Sequence, residues 1–208
     1  MEKNLTIIGG GFASWVLASV FAEQGYYINL FEGNSKNFGS QQISPNGWAA
    51  LSNLINPKKI KAYFEPFHNI YFKKLNSNQN LEFLAQYDLL IKTGNFGSIE
   101  REGIIKIFKN QTLKNKSVKV YKSQIQHIVY ENENNRIIDE DGRVFETRII
   151  IGADGINGIS RKFVVGSDNH INSKQIYRAV SFQNNPYQLT KKILQVLFHD
   201  TGYFVIYP

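Results

Sequence analysis

A short apolar run, Leu5-Thr6-Ile7-Ile8, leads straight into three glycines, Gly9-Gly10-Gly11. Beyond them, Phe12 to Gln24 is rich in Ala, Val, Leu and Phe and is long enough for about three to four helical turns. Gly25 stops that helix, and a second apolar run, Tyr26 to Phe31, ends at Glu32. Strand, helix and strand in little more than 30 residues make a βαβ unit. Such a unit requires two parallel strands and a right-handed crossover, and so commits the chain to an α/β fold.

Glycines at the turn from strand to helix have a chemical use. Gly9 permits the tight turn, and Gly11 lets a pyrophosphate reach the backbone where the helix dipole is positive. Gly10, Phe12 and Ala13 complete the loop and the first helical turn, so their amides face the same anion. Ser14 stands where a third glycine is usual, and it is small enough for the helix still to pack closely on the strand. Glu32, 21 residues after Gly11, ends the second strand, where a carboxylate accepts hydrogen bonds from the hydroxyls of an adenosine ribose. The same carboxylate disfavours a 2′-phosphate, so NADP is not expected as a resident.

Composition closes off other classes. No apolar run reaches the roughly 18 residues of a membrane span, and Met1 to Leu5 lacks the basic stretch of a signal peptide, so a cytoplasmic protein without stable membrane insertion is expected. Cysteine is absent, which removes disulfides, thiolate nucleophiles and cysteine zinc sites. His68, His127, His170 and His199 have no second ligand at helical or turn spacing, so no metal site is expected. The net charge of +7 invites a nucleic-acid reading, but 18 of the 24 basic residues are scattered lysines. The densest group, Lys58, Lys59 and Lys61, reads as a solvated face, so no nucleic-acid partner is expected.

Further along, Gly33 to Gln42 reads as a loop and Pro45 to Ile55 as a helix opened by Ser44 and Pro45. Runs between Phe67 and Ile91, broken at Asn76-Ser77-Asn78, predict an antiparallel hairpin. Ile99 to Leu113 reads as a helix; Val118 to Tyr121, Ile125 to Tyr130 and Arg136 to Asp139 read as strands. Asp141-Gly142 is a hairpin turn into a strand over Val144 to Ile151, and Ser173 to Pro208 reads as strands.

A second motif begins at Ile149. Ile149-Ile150-Ile151-Gly152-Ala153-Asp154-Gly155 ends a strand in a turn, and Ile156 to Arg161 starts a helix. Taken alone, Asp154-Gly155 reads equally well as a turn with a helix N-cap. In order along the chain, however, the glycine loop with Glu32, the segment Ser44-Pro45-Asn46-Gly47 running into Trp48 to Leu51, the helix opened by Arg101 with Ile104 and Phe108 behind it, and Gly152 to Arg161 form a set. This set resembles the FAD-dependent aromatic-ring hydroxylases, the flavoprotein monooxygenases of the para-hydroxybenzoate hydroxylase type. Tyr177-Arg178-Ala179 and Gly202 to Pro208 resemble two later strands of that family.

The resemblance implies a Rossmann-like FAD-binding domain with an antiparallel insertion, plus a truncated mixed or antiparallel substrate sheet. It places the discontinuous FAD-binding domain at residues 1–70 and 95–172 and the partial substrate domain at 71–94 and 173–208. Arg101 would lie near the flavin's phosphates and ribityl chain, and Asp154 and Gly155 would belong to a motif that contacts both FAD and the nicotinamide cofactor. NADH or NADPH would serve as transient reductant in the oxygen-dependent hydroxylation of an electron-rich small molecule. Gly33 stands where relatives often carry a basic residue, and Ser40 to Gln42 replaces a loop that supplies another arginine in some of them.

The family's Gly-Asp segment and the second half of its substrate domain have no counterpart before Pro208, so the chain is expected to be an N-terminal fragment. It would then pair with a C-terminal half or self-associate through an open sheet edge. No side chain is assigned as a catalytic acid or base, because in this family the cofactor carries the chemistry. The competing readings are a non-catalytic FAD- or ADP-binding remnant and a related flavin halogenase or reductase.

Overall fold

The structure, a computed structural model, describes residues 3–33, 39–76, 80–89, 95–131, 133–166, 177, 179 and 192–208. Arg178, most of the predicted strand region 173–191, His170 and the centre of the hairpin turn at Ser77-Asn78 lie outside the described residues. The elements in chain order are β1 (Asn4–Ile8), α1 (Phe12–Glu23), β2 (Tyr27–Phe31), β3 (Ser40–Ile43), α2 (Pro45–Leu54), α3 (Pro57–Lys61), β4 (Phe64–Pro66), β5 (Asn69–Leu75), β6 (Leu81–Asp88) and β7 (Gly97–Glu100). They continue with α4 (Arg101–Thr112), β8 (Val118–Tyr121), β9 (Ile125–Glu131), β10 (Asn134–Asp139), β11 (Val144–Thr147), β12 (Ile150–Gly152), α5 (Ile159–Val165), β13 (Ile193–His199) and β14 (Gly202–Ile206). The fold is α/β, and it divides into two compact units, one within Met1–Phe38 and Ile104–Arg178, the other within Gly39–Gly103 and Ala179–Pro208. Residues 39–70 and 95–103 thus cluster with the hairpin β5-β6.

The first unit is built on a parallel sheet in the order β12-β1-β2-β8. Leu5, Thr6, Ile7 and Ile8 are all buried, as a strand covered on both faces must be. One cover is α1, whose buried Ser14, Trp15, Ala18, Ser19 and Ala22 recur at helical spacing. The small residues at 14, 18 and 22 let the helix axis come close to the strands. Ile104 and Phe108 of α4 are buried beside it, with the Phe108 ring edge-on to Phe12 at 5.8 Å.

The other cover is an antiparallel sheet in the order β11-β10-β9. Ile8, Phe31, Ile125 and Ile137 share a buried cluster between the layers, with Tyr121 and Phe145 against it. The Phe31 ring stacks on Tyr121 at 4.7 Å and meets Phe145 edge-on at 4.9 Å. The β10-β11 hairpin turns at Gly142, whose φ of +76° is the left-handed conformation that glycine adopts at no steric cost. The expected strand from Val144 to Ile151 is two strands in two sheets. β11 pairs with β10, then the chain bends at Arg148-Ile149 and β12 joins β1. The Thr147 hydroxyl donates to the Ile149 carbonyl across that bend at 3.1 Å.

The second unit holds an antiparallel sheet β3-β7-β4 and a mixed sheet β14-β13-β5-β6, in which only β13 and β5 run parallel. The expected hairpin over Phe67 to Ile91 is β5-β6. The helix expected from Ile99 begins instead at Arg101. Gly97–Glu100 is the central strand β7, where Ile99 is fully buried between β3 and β4. Part of the expected loop Gly33 to Gln42 is likewise strand, since Ser40–Ile43 pairs with β7. The lysines at 58, 59 and 61 lie exposed on α3 around the buried Ile60, as a solvated face does. Phe67, Leu89 and Leu194 form a small core with Phe96 and Tyr207 packed on it.

Candidate nucleotide site

In the first unit, β1 is flanked on one side by β2, its neighbour in sequence, and on the other by β12, more than 140 residues away. The order therefore reverses at β1, and in open α/β sheets ligands generally bind beyond the carboxyl ends of the strands at such a point. Ile8 pairs with Gly152 and with Phe31, so the glycine loop, the residues after Gly152 and Glu32 all leave the sheet at the same end. The two sequence motifs are therefore side by side in space.

The glycines are not equivalent. Gly9 has φ +134°, and a Cβ there would stand 2.3 Å from the Ala153 carbonyl oxygen and 2.7 Å from Ser14 Oγ. Gly9 is thus held by the fold itself. Gly11, the N-cap residue of α1, has extended backbone with φ −83°, and a Cβ on it would meet nothing within 4 Å among the described residues. Among the described residues no side chain caps α1, and its first turn carries no acid, an arrangement that suits an anionic ligand at the helix's amide end. Gly10, Phe12 and Ala13 lie in the loop and first turn, as the sequence placed them. Ser14 is fully buried, and its hydroxyl donates to Ala153 O at 3.4 Å. That long contact ties α1 to the end of β12, so the serine performs the close packing of a third glycine and adds a polar link.

Asp154 accepts a hydrogen bond from the Ser160 amide at 3.0 Å and so caps α5 from outside the helix. Gly158 lies under its carboxylate, where a Cβ would come within 2.2 Å of Cγ, and Gly155 has φ +87°. The turn-and-cap reading of Asp154-Gly155 therefore holds locally. Any contact of this carboxylate with a ligand uses lone pairs that Ser160 leaves over.

Glu32 lies directly after β2, but its carboxylate is not free. Lys109, in the last turn of α4, places its ammonium 3.0 Å from Oε1 and 2.8 Å from Oε2. The same ammonium stands over the Trp15 ring, 4.8 Å from its centroid. Each carboxylate oxygen has two lone pairs, so one acceptor position per oxygen remains. Lys109 and Trp15 were not legible in the sequence as site residues. The partner of Glu32 is 77 residues away, and nothing local marks it.

Arg101 opens α4 within the second unit, its amide donating to the Gly39 carbonyl at 3.0 Å. Its Nε is buried and has no hydrogen-bond partner among the described residues. A buried guanidinium nitrogen is costly to leave unpaired. The Trp15 indole nitrogen is likewise buried with no partner among the described residues. Among the described residues there is no group of His, Asp and Glu that could hold a metal, and no helix long and apolar enough to cross a membrane.

No protein-family model matches the sequence. No curated protein matches it either. Solved structures do. The chain is similar to HpxO of Klebsiella pneumoniae, complexed with FAD and uric acid, at 14% identity and TM-score 0.73, over 99% of this chain and 53% of that one. It is similar to PqsL of P. aeruginosa, in complex with 2-aminobenzoylacetate, at 16% identity and TM-score 0.72, over 99% and 57%. A third is p-nitrophenol 4-monooxygenase PnpA of Pseudomonas putida DLL-E4, at 16% identity and TM-score 0.67, over 79% and 44%. The chain thus spans about half the length of these proteins. Identities this low establish the fold, and the chain shares the α/β fold of a set of solved proteins that includes a named monooxygenase and a protein complexed with FAD.

Proposed function

We propose that the first unit binds FAD through its adenosine diphosphate half, and that the chain is the N-terminal part of a flavin-dependent monooxygenase. The observation that carries the reading is the convergence of Gly9–Ser14, Glu32 and the residues after β12 at the uncapped amide end of α1. The amides at the start of α1, from Gly11 to Ala13, would hold the pyrophosphate, and the open space at Gly11 would let it reach them. Glu32 would take the ribose hydroxyls with the acceptor positions that Lys109 leaves free. Arg101 would give its unpartnered Nε to the flavin-bearing part of the cofactor, and Asp154 and Gly155 would lie against it from the end of β12.

When bound, FAD supplies oxygen activation after reduction by NADH or NADPH; the protein's part is to hold and orient the cofactor and to keep water from it. An electron-rich small molecule as substrate and a cytoplasmic location belong to the same proposal. Its support beyond the site is the shared fold, and the motif order along the chain fits it.

Titration of FAD and of ADP against the wild type and Gly11→Val tests the site. A β-branched side chain at Gly11 has room in the protein but would occupy the path of the pyrophosphate. Loss of both ligands with an unchanged melting temperature is the expected result. Equal affinity in the two proteins would overturn the assignment.

A further inference from the structure

The Lys109–Glu32 pair has a feature that a surface ion pair lacks, because the lysine is itself held from behind. The Glu32 side chain is 17% exposed and that of Lys109 33%. Lys109 reaches both carboxylate oxygens while its ammonium rests on the ring of Trp15, which is fully buried in α1. Its neighbour Phe108 is fully buried against Phe12, the first residue of α1, so α4 is anchored beside the glycine loop itself. The carboxylate orientation at the end of β2 is therefore set by a cation whose own position is set by the helix that carries the phosphate-facing amides.

We infer that Lys109 is a positioning residue for an adenosine ribose, holding the Glu32 carboxylate so that its remaining acceptor positions meet a vicinal diol. This inference rests on the adenosine reading of the site. A glutamate free at this point would sample several rotamers and lose that freedom on binding. Lys109 removes the loss beforehand, and it also balances the charge, so that the diol meets an oriented acceptor pair in a locally neutral setting. Because an ammonium has donors only, Lys109 does not replace Glu32 as the acceptor of the hydroxyl protons.

The test compares ADP with 2′,3′-dideoxy-ADP, which lacks the diol, on the full chain. Wild type is expected to prefer ADP about tenfold or more. Lys109→Met keeps an apolar stem on Trp15 but removes the charge; it should lose most of the preference by weakening ADP, with dideoxy-ADP affinity unchanged. Lys109→Arg should retain the preference. Should Lys109→Met melt early, the second variant Lys109→Gln and the ratio of the two affinities within each protein still decide the matter, because a general loss of structure weakens both ligands alike. An unchanged ratio in both neutral variants, or tighter ADP binding without the lysine, would overturn the inference. If wild type binds ADP but with no preference over the dideoxy form, the inference again fails while the pyrophosphate site stands. If wild type binds neither nucleotide, the adenosine reading fails and takes this inference with it.

Discussion

Gly9 and Ala153 approach so closely that a Cβ on the glycine would stand 2.3 Å from the alanine's carbonyl oxygen. That contact joins the ends of β1 and β12, since Ala153 also donates its amide to Ile8 O at 2.8 Å. Gly9→Ala should therefore destabilise the fold, by about 1–3 kcal/mol from the φ of +134° alone, with the clash adding to it. Gly11→Ala, on ordinary backbone in open space, should stay within about 0.5 kcal/mol of wild type. Urea unfolding of the two variants checks the contrast, and equal stabilities would show that the strand ends are not packed as described.

Gly103 poses a similar test in the second unit. Alanine normally stabilises a helix interior over glycine by about 1 kcal/mol. At Gly103 a Cβ would fall 2.0 Å from Cδ1 of Tyr63, too near the root of the ring for a small rotation to relieve it. Gly103→Ala should thus lower the melting temperature, and the double variant Gly103→Ala with Tyr63→Ala should be more stable than the sum of the two single losses. Strict additivity would mean that the tyrosine does not lie on the helix.

Local sequence signals carried much of this architecture. The βαβ unit was legible because its strands, glycine turn and helix lie within one short segment, and the Asp141-Gly142 hairpin because a positive φ needs glycine there. What stayed hidden depends on residues far apart. Ile99 sits in a helix-like pattern but is taken by β3 and β4 as a central strand. Val144 to Ile151 looks continuous but serves two sheets, because β10 competes with β1 for it. At the candidate site, spacing placed the glycines and Glu32 at the same end of the sheet. The occupancy of Glu32 by Lys109 was not legible, because an ion pair across 77 residues leaves no periodic trace.

Arg101→Ala should weaken FAD more than ADP, since the proposed contact lies toward the flavin. Loss of a charge-assisted hydrogen bond costs about 1.5–3 kcal/mol, so FAD affinity should fall tenfold or more. Calorimetric titration of both ligands checks it. An equal effect on the two, or none, would make the buried Nε a structural feature of the second unit alone.

Asp139 locks the β10-β11 turn. Its carboxylate accepts from the amides of Asp141 and Arg143, from Ser123 Oγ at 3.1 Å and from Arg143 Nε at 2.8 Å. Burial opposes its ionisation, but the Arg143 side-chain and backbone hydrogen bonds, that of Ser123 and the guanidinium charge outweigh it and hold the carboxyl below its ordinary 3.8. A folded-state value below the unfolded one means stability that is full well above 3.8 and lost as pH falls through the lowered value. Asp139→Asn should therefore be less stable than wild type at pH 7, with the gap closing below about pH 4. Thermal melts at pH 7, 5 and 3 check the trend, and a gap that widens toward acid would contradict it.

The mixed sheet of the second unit has β14 and β6 at its edges among the described residues. Both expose apolar side chains, but β6 carries Glu82 and Asp88, and charges on an edge oppose pairing with another strand. β14, Gly202–Ile206, carries none, and Tyr203 and Phe204 on it are 67% and 65% exposed. Self-association of the purified chain should therefore run through β14. In sedimentation velocity the average mass of the wild type should rise with concentration, and Val205→Lys should hold it near the 23.8 kDa of one chain. Leu84→Lys on β6 should leave the rise in place. A wild type that stays at one chain's mass throughout, or a rise abolished only by the β6 variant, would show that β14 is not the associating edge.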